Sequence, residues 1–272
     1  MQNPSITLIV STYNRPDFLR LVLDGIATQQ DHNFELILAD DGSTDETSSC
    51  IETFCKQNAI QTQHIWHEDE GFRKSVILNK AIAASKSQYI VFLDGDCIPL
   101  QNFIKHHRSL ARKNRIVGCS RILLDQTITK HLLDNDLKPH EWSFYEFLKL
   151  RISGHLNRIV PLIPLHLGLL RSRARRKWQH VRGCNFGIYK DDLITIGGFD
   201  ESFTGWGYED SELAARAINN GCFVRKGDNK ATVLHLWHPE VSRDEAASNK
   251  SNLVSTLDTG RKIAISSSII SS

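Results

Sequence analysis

The strongest constraint on the fold is a set of apolar runs, each too short for a buried helix and each ending in a polar cluster. ITLIV at 6–10 runs into STYNRP, FELILA at 34–39 into DDGSTD, and YIVFL at 89–93 into DGDC. Runs of this length, rich in Ile, Val and Leu and without polar alternation, are strands covered on both faces. TQHIW at 62–66 reads as a further short strand. Helical patterns separate them. Pro16 suits a first helical turn, and Leu19, Val22, Leu23 and Ile26 then share one face. Ser43 and Glu46 have capping-box spacing and open a helix through Phe54. SVILNKAIAAS, 75–85, reads as another helix. Strand–helix alternation gives the α/β class, with a parallel sheet and right-handed crossovers. Ligands of such sheets bind beyond the carboxyl ends of the strands, where the polar clusters fall.

Asp94 and Asp96 flank a glycine at one of those ends. A carboxylate in a dry strand core carries a large desolvation penalty, whereas at the sheet edge it can face a ligand or a cation. Three readings are open: a polar turn, a pair of oxygen donors for one hard divalent ion, or the strand-end nucleophile of an aspartyl phosphatase. Cys97 follows the pair, where the phosphatase motif has Thr or Val, and the pair falls on the fourth strand rather than the first.

A second acidic cluster lies in GGFDESFTGWGYEDSELAARAINNG, 197–221. Asp210 or Ser211 is placed to cap a helix whose inner side carries Leu213, Ala217 and Ile218, and Gly221 stops it. Glu209 and Asp210 can be helix-dipole partners or general bases. Trp206 between two glycines is a flat face suited to stacking on a sugar or a base. Farther on, VLHLWHPE at 233–240 delivers His235 and His238 from a strand-like run. They are either structural or the nitrogen donors that complete the shell of a cation such as Mn2+.

In order, VSTYNRP, ADDGSTDET, EDEGFRKSVILNKAI, YIVFLDGDC and GGFDESFTGWGYEDSELAARA resemble glycosyltransferase family 2 with the GT-A fold. The last of these also resembles the carboxyl-terminal region of β-1,4-galactosyltransferases and of bacterial chondroitin polymerase. The resemblance covers about residues 5–240. It implies a single GT-A (Rossmann-like) domain, a mixed sheet flanked by helices, and an inverting, metal-dependent enzyme using a nucleotide-diphosphate sugar with Mn2+ or Mg2+. Carried over by position, it makes Ser11, Tyr13, Asp40, Asp41, Asp69 and Arg73 the nucleotide contacts. Asp94 and Asp96 become the DXD motif, with Asp96 the firmer metal ligand, and His238 or His235 completes the metal site. Asp210 is implied as catalytic base, with Glu209 and Trp206 contacting sugar. Two positions depart from the pattern: Leu78 stands where an arginine usually precedes Asn79, and Tyr208 where galactosyltransferases have glycine.

Residues 125–180 break the rhythm and read as a helical, basic insertion. From Arg151 to Arg182 there are eight Lys or Arg and no Asp or Glu, around the apolar run IVPLIPLHLGLL. The insertion is either a packed flap or a peripheral membrane contact through about 151–182. Residues 1–240 form the expected catalytic domain, and 241–272 a helical extension or tail, weakly patterned at its end. A net charge of +2 gives no reason to expect nucleic acid. Six cysteines without a CxxC pair, no signal-peptide pattern and no long apolar stretch point to a cytoplasmic protein with reduced thiols, on the inner face of the cytoplasmic membrane if the insertion docks there. The expected partners are a nucleotide-sugar donor and a glycan or lipid-linked acceptor, in surface polysaccharide or lipopolysaccharide synthesis. The alternative is a non-catalytic sugar-nucleotide or glycan-binding module on the same fold.

Overall fold

The computed structural model describes residues 3–135, 137–163, 176–239 and 243–269. In chain order the elements are β1 (Ile6–Thr12), α1 (Pro16–Ala27), β2 (Phe34–Asp40), α2 (Asp45–Gln57), β3 (Thr62–Trp66), α3 (Lys74–Ala84), β4 (Tyr89–Asp94) and β5 (Cys97–Pro99). Then follow α4 (Phe103–Leu110), β6 (Arg115–Gly118), β7 (Arg121–Leu123), α5 (Gln126–Asn135), α6 (Phe144–Ile152), β8 (Asn185–Tyr189) and α7 (Lys190–Thr195). The last are α8 (Glu209–Asn219), β9 (Phe223–Lys226), β10 (Val233–His235) and α9 (Ala246–Thr259).

The main sheet has seven strands in the order β3-β2-β1-β4-β8-β6-β9. Its first four strands are parallel, as their apolar runs and helical crossovers require. β8 returns antiparallel to both β4 and β6, so the sheet is mixed rather than wholly parallel. Period-two alternation sends Leu8 and Val10 into one apolar layer, with α1, and Ile9 into the other, with α3 and α8. A smaller sheet, β5-β10-β7, closes the carboxyl edge.

Strand register sets the site. Ser11 lies level with Asp94 on β4, and Thr12 with Asp40 on β2. Two glycines let chains meet there. Gly95 donates its N–H to the Ser11 carbonyl at 2.8 Å, and a Cβ on Gly95 would sit 2.8 Å from that same oxygen. Gly42, at φ +96°, passes so close to Asp69 that a Cβ would lie 2.6 Å from its Cα.

The expected cap at Ser43 is not formed. Thr44 precedes α2, and the Ser43 hydroxyl instead accepts from the Asn14 N–H at 2.9 Å, fixing the turn after β1. The insertion contributes α5 and α6. Residues 164–170 of its apolar run, and Arg171, Arg173 and Arg175, lie outside the described residues. Beyond β10 the chain is tied back to the domain. Glu212 and Arg216 form a fully buried pair on α8, and Thr256 and Arg261 reach the same carboxylate, each at 3.0 Å. Asp200 accepts from the Ile265 N–H at 2.9 Å, so the end of the chain packs as far as Ile269 despite its weak pattern. No helix among the described residues is long and apolar enough to cross a membrane.

Candidate active site

The site is built on the carboxyl ends of β1 and β4 and on the N-termini of α3 and α8. Asp94 Oδ1 accepts from Ser11 Oγ at 2.9 Å and from Lys74 Nζ at 2.7 Å. Lys74 opens α3 and also lies 3.8 Å from Glu209, the first residue of α8. Burial works against the charge on Lys74, but Asp94, Glu209 and Asp210 outweigh it and raise the ammonium pKa above its usual range. A small cavity lined by Ser11, Lys74, Leu78, Asp94, Gly183 and Glu209 marks where these elements converge. Leu78, standing at the usual arginine position, is buried. Lys74 is one helical turn earlier and brings the cation that Leu78 does not.

Asp96 faces the other way. His238 Nε2 is 3.1 Å from its Oδ2 and His235 Nε2 is 3.6 Å from it, while the Cys97 thiol donates to Oδ1 at 3.2 Å. The two imidazoles are 5.3 Å apart. β10 places both, because it pairs antiparallel with β5 and sets His235 opposite Cys97. Burial pushes the Asp96 carboxyl up, but the His238 hydrogen bond and the His235 imidazole reverse this and hold it well below the usual carboxylate range. The His238 hydrogen bond to Asp96 raises the imidazole pKa, and burial lowers that of His235. Asp96, Cys97 and His235 approach within metal-binding distance of one another. Burial drives the Cys97 thiol pKa far up, and the thiol donates to Asp96. With His238 on the same carboxylate, a carboxylate, a thiol and two imidazoles gather at this point. Asp94, expected in the same shell, is turned toward Ser11 and Lys74.

Neither Asp210 nor Ser211 is the cap of α8. Tyr208 precedes the helix in the left-handed region at φ +70°, with no side-chain cap. That turn puts both acids in the first turn of α8. Asp210 Oδ2 accepts from the Gly183 N–H, and Oδ1 from the Ser211 N–H at 2.6 Å. Burial pushes the Glu209 carboxyl up to about 7, with Lys74 opposing and Asp210 adding to the rise. Trp206 is 43 % exposed on the loop before these acids, with the Arg243 guanidinium 5.3 Å from its ring centroid.

The residues expected around the nucleotide divide. Asp40 is fully buried and holds internal partners, the Ser43 N–H at 2.9 Å and His64 Nε2 at 2.9 Å. Asp41 pairs with His67 at 2.7 Å and accepts the Arg73 N–H at 3.0 Å. Burial raises its pKa against both contacts. Tyr13 donates to Asp69 at 2.9 Å, and both side chains face solvent. The Arg73 guanidinium is held by the Glu68 carbonyl at 2.6 Å and by Glu70 at 2.6 Å. Trp66, half exposed at the end of β3 and donating to the Ser43 carbonyl at 3.1 Å, joins this cluster without having been expected. Lys74 and the Gly183 N–H were also missed. Lys74 left one signal, a cation at the first position of the helix that follows the polar cluster after β3.

The fold is that of the GT-A glycosyltransferases. Residues 7–160 match the family model for glycosyl transferase family 2, and residues 164–239 match that described as the N-terminal domain of galactosyltransferase. The chain belongs to glycosyl transferase family 2. It is 26 % identical over 231 residues to a validoxylamine A glucosyltransferase of Streptomyces hygroscopicus subsp. jinggangensis, covering 80 % of this chain and 52 % of that protein. It is 23 % identical over 265 residues to the chondroitin synthase of Escherichia coli, covering 89 % of this chain and 36 % of that one. The chain thus spans about half, or less, of the length of these relatives. Among solved structures it resembles the mannosyltransferase PcManGT from Pyrobaculum calidifontis in complex with GDP-Man and Mn2+, with a TM-score of 0.66 and 18 % identity over 95 % of this chain and 65 % of that one. It also resembles Staphylococcus aureus TarS, with a TM-score of 0.62 and 15 % identity over 93 % of this chain and 39 % of that one. Family membership sets the phosphatase reading aside.

Proposed function

We propose that this glycosyltransferase moves a sugar, with inversion, from a UDP-linked donor to a hydroxyl of a glycan or lipid-linked acceptor in bacterial surface polysaccharide or lipopolysaccharide synthesis. The observation that carries the reading is the division of the site's charges: Asp96 between two imidazoles on one side, and Lys74 among Asp94, Glu209 and Asp210 on the other.

The first group fits a divalent cation. A carboxylate held ionised beside two imidazoles is a mixed oxygen and nitrogen donor set, which suits Mn2+ and is less apt for Mg2+. Asp96, His238 and His235 would hold the ion. When bound, it supplies positive charge against the leaving nucleoside diphosphate. Lys74, buried and charged, supplies a second positive group on the donor side. Ser11 and Lys74 fix Asp94 as a donor-side carboxylate. Asp41, Tyr13, Asp69 and Arg73 line the base and diphosphate region in this reading, while Asp40 shapes the turn beneath them.

Asp210 takes the proton of the attacking hydroxyl. The Gly183 and Ser211 N–H groups hold its two oxygens and fix its direction. Glu209 and Trp206 contact sugar, and alignment of the two substrates supplies several kcal/mol of the barrier lowering. A module that only bound sugar would have no use for a base beside a buried ammonium. In this reading 1–240 form the catalytic domain, and 241–272 an extension that braces the base-carrying helix. The insertion makes a peripheral contact with the inner face of the cytoplasmic membrane, where a lipid-linked acceptor would be found.

The test is a panel of nucleoside-diphosphate sugars scored by thermal stabilisation and donor hydrolysis, with and without Mn2+. One UDP-sugar should stabilise the protein and be hydrolysed only with the metal. Stabilisation by none of the panel would refute the reading.

A further inference from the structure

We infer that the outer face of α6 is the part of the insertion that rests on the membrane, seated on anionic lipid. This rests on the reading of the acceptor as lipid-linked and goes beyond it in naming the surface. α6 is locally well defined. Ser143 and Glu146 form a reciprocal capping box at its start. Phe147 alone is buried, edge-on to Trp142 with ring centroids 5.6 Å apart, and Leu150 packs beside it on the core. With that side fixed inward, the opposite side is presented outward. It carries Phe144, 50 % exposed, Tyr145, 63 %, and Ile152, 79 %, with Leu148 half-buried between them. Residues 144, 148 and 152 repeat every fourth position, so they form one stripe with Tyr145 beside it.

Exposed apolar side chains are ordinary singly, but three large ones on one short helix face mark a contact surface. The flanks identify the partner. Lys149 lies on the Tyr145 side, with its Nζ 4.5 Å from the ring centroid, and Arg151 borders the stripe on the other. An apolar strip edged by long cations matches a bilayer surface, where rings and aliphatic chains enter the headgroup boundary and ammonium and guanidinium groups meet phosphate. The chain that follows, 151–182, has eight Lys or Arg and no Asp or Glu, which suits an anionic surface. Val160 and Ile163, 59 % and 39 % exposed, continue the apolar character along the insertion.

The same insertion is bonded to the strand that carries His235. Thr129 Oγ1 accepts from the Trp237 N–H at 2.9 Å; just before the insertion the Leu124 N–H donates to the His235 carbonyl at 3.0 Å, and within it the Asp125 N–H reaches the His155 carbonyl at 3.1 Å. A surface engaged by α6 is therefore connected through a few hydrogen bonds to the cation-site histidines. This arrangement would bring the catalytic edge to an acceptor held in the membrane.

The experiment is co-sedimentation of the whole chain with vesicles of phosphatidylcholine alone and of phosphatidylcholine with phosphatidylglycerol, at low and high salt. Wild type should pellet with the anionic vesicles and be released by salt. The double variant Phe144→Ser/Ile152→Ser should bind about tenfold or more weakly, as expected when two shallowly buried apolar groups are removed. Lys149→Ser/Arg151→Ser should lose affinity only for the anionic vesicles. Should the double variant not fold, Ile152→Ser alone, at the most exposed of these positions, takes its place. Equal binding of wild type and the apolar variant overturns the inference, as does salt-independent binding to both vesicle types. A wild-type dimer that the apolar variant dissolves would mean that the face is covered by a second copy. Donor stabilisation measured on the same samples separates the two claims: its presence with no vesicle binding sinks only the inference, and its absence sinks the proposed function.

Discussion

Glu209 provides a stability signature that can be worked out from its surroundings. Its side chain is 13 % exposed, and burial raises its pKa from 4.5 to about 7 against the pull of Lys74. In the unfolded chain the carboxyl ionises near its ordinary value. Between the two values the folded state holds the extra proton, so stability falls as pH rises through this window and levels off above the folded pKa. The contribution is fully present below about 4.5 and is lost above about 7. At 1.36 kcal/mol per pKa unit the whole effect is about 3 kcal/mol, of which roughly 2–3 falls between about pH 5 and about pH 8. Glu209→Gln provides the reference, since glutamine keeps the size and cannot ionise. Urea unfolding of both proteins across that range measures the difference directly. Wild type should lose roughly 2–3 kcal/mol relative to the variant on going from acid to alkaline pH. Curves that stay parallel to within about 0.5 kcal/mol would refute the burial argument and with it the close grouping of Glu209, Lys74 and Asp210.

Two further substitutions probe the chemistry. Asp210→Asn keeps size and the capacity to accept from Gly183 but cannot take a proton; kcat for transfer should fall about a hundredfold or more with donor KM nearly unchanged, and near-normal kcat would move the role to Glu209. Lys74→Met removes the cation near Asp94 and Glu209; calorimetry should show about tenfold weaker binding of nucleoside diphosphate with nucleoside monophosphate unaffected, and equal losses for both would make Lys74 a purely structural counter-ion.

The parallel half of the sheet was legible because β1, β2 and β4 are apolar on both faces and end abruptly in polar clusters, acidic after β2 and β4, so composition alone marked both the strand and the ligand edge. β5, β7 and β10 are three residues each, too short for periodicity to register, yet they bring Asp96 to His235. The separate partners of Asp94 and Asp96 were not legible either. Residues two apart in a strand-end turn read as one pair, and only Ser11 and Lys74, distant in sequence, draw Asp94 away. The cap readings at Ser43 and Asp210 failed for one reason. Both side chains have the right chemistry for a cap, but each helix begins elsewhere, after Thr44 and after the left-handed Tyr208, which leaves Ser43 to Asn14 and Asp210 to Gly183. The tail beyond α9 has no pattern to read, because it is held chiefly by hydrogen bonds to Asp200 and Glu201, with single apolar contacts such as Ile269 instead of a periodic face.

The central claim is that Asp96 with its two histidines anchors a divalent cation used against the donor. The most direct measurement is Mn2+-dependent turnover of the donor by wild type and Asp96→Ala, each with and without EDTA, alongside Mn2+ binding by calorimetry. Wild type should bind Mn2+ and lose turnover in EDTA, while Asp96→Ala should unfold normally, fail to bind the ion and show no metal-dependent turnover. Full turnover in EDTA, or unchanged Mn2+ affinity in Asp96→Ala, would contradict the account.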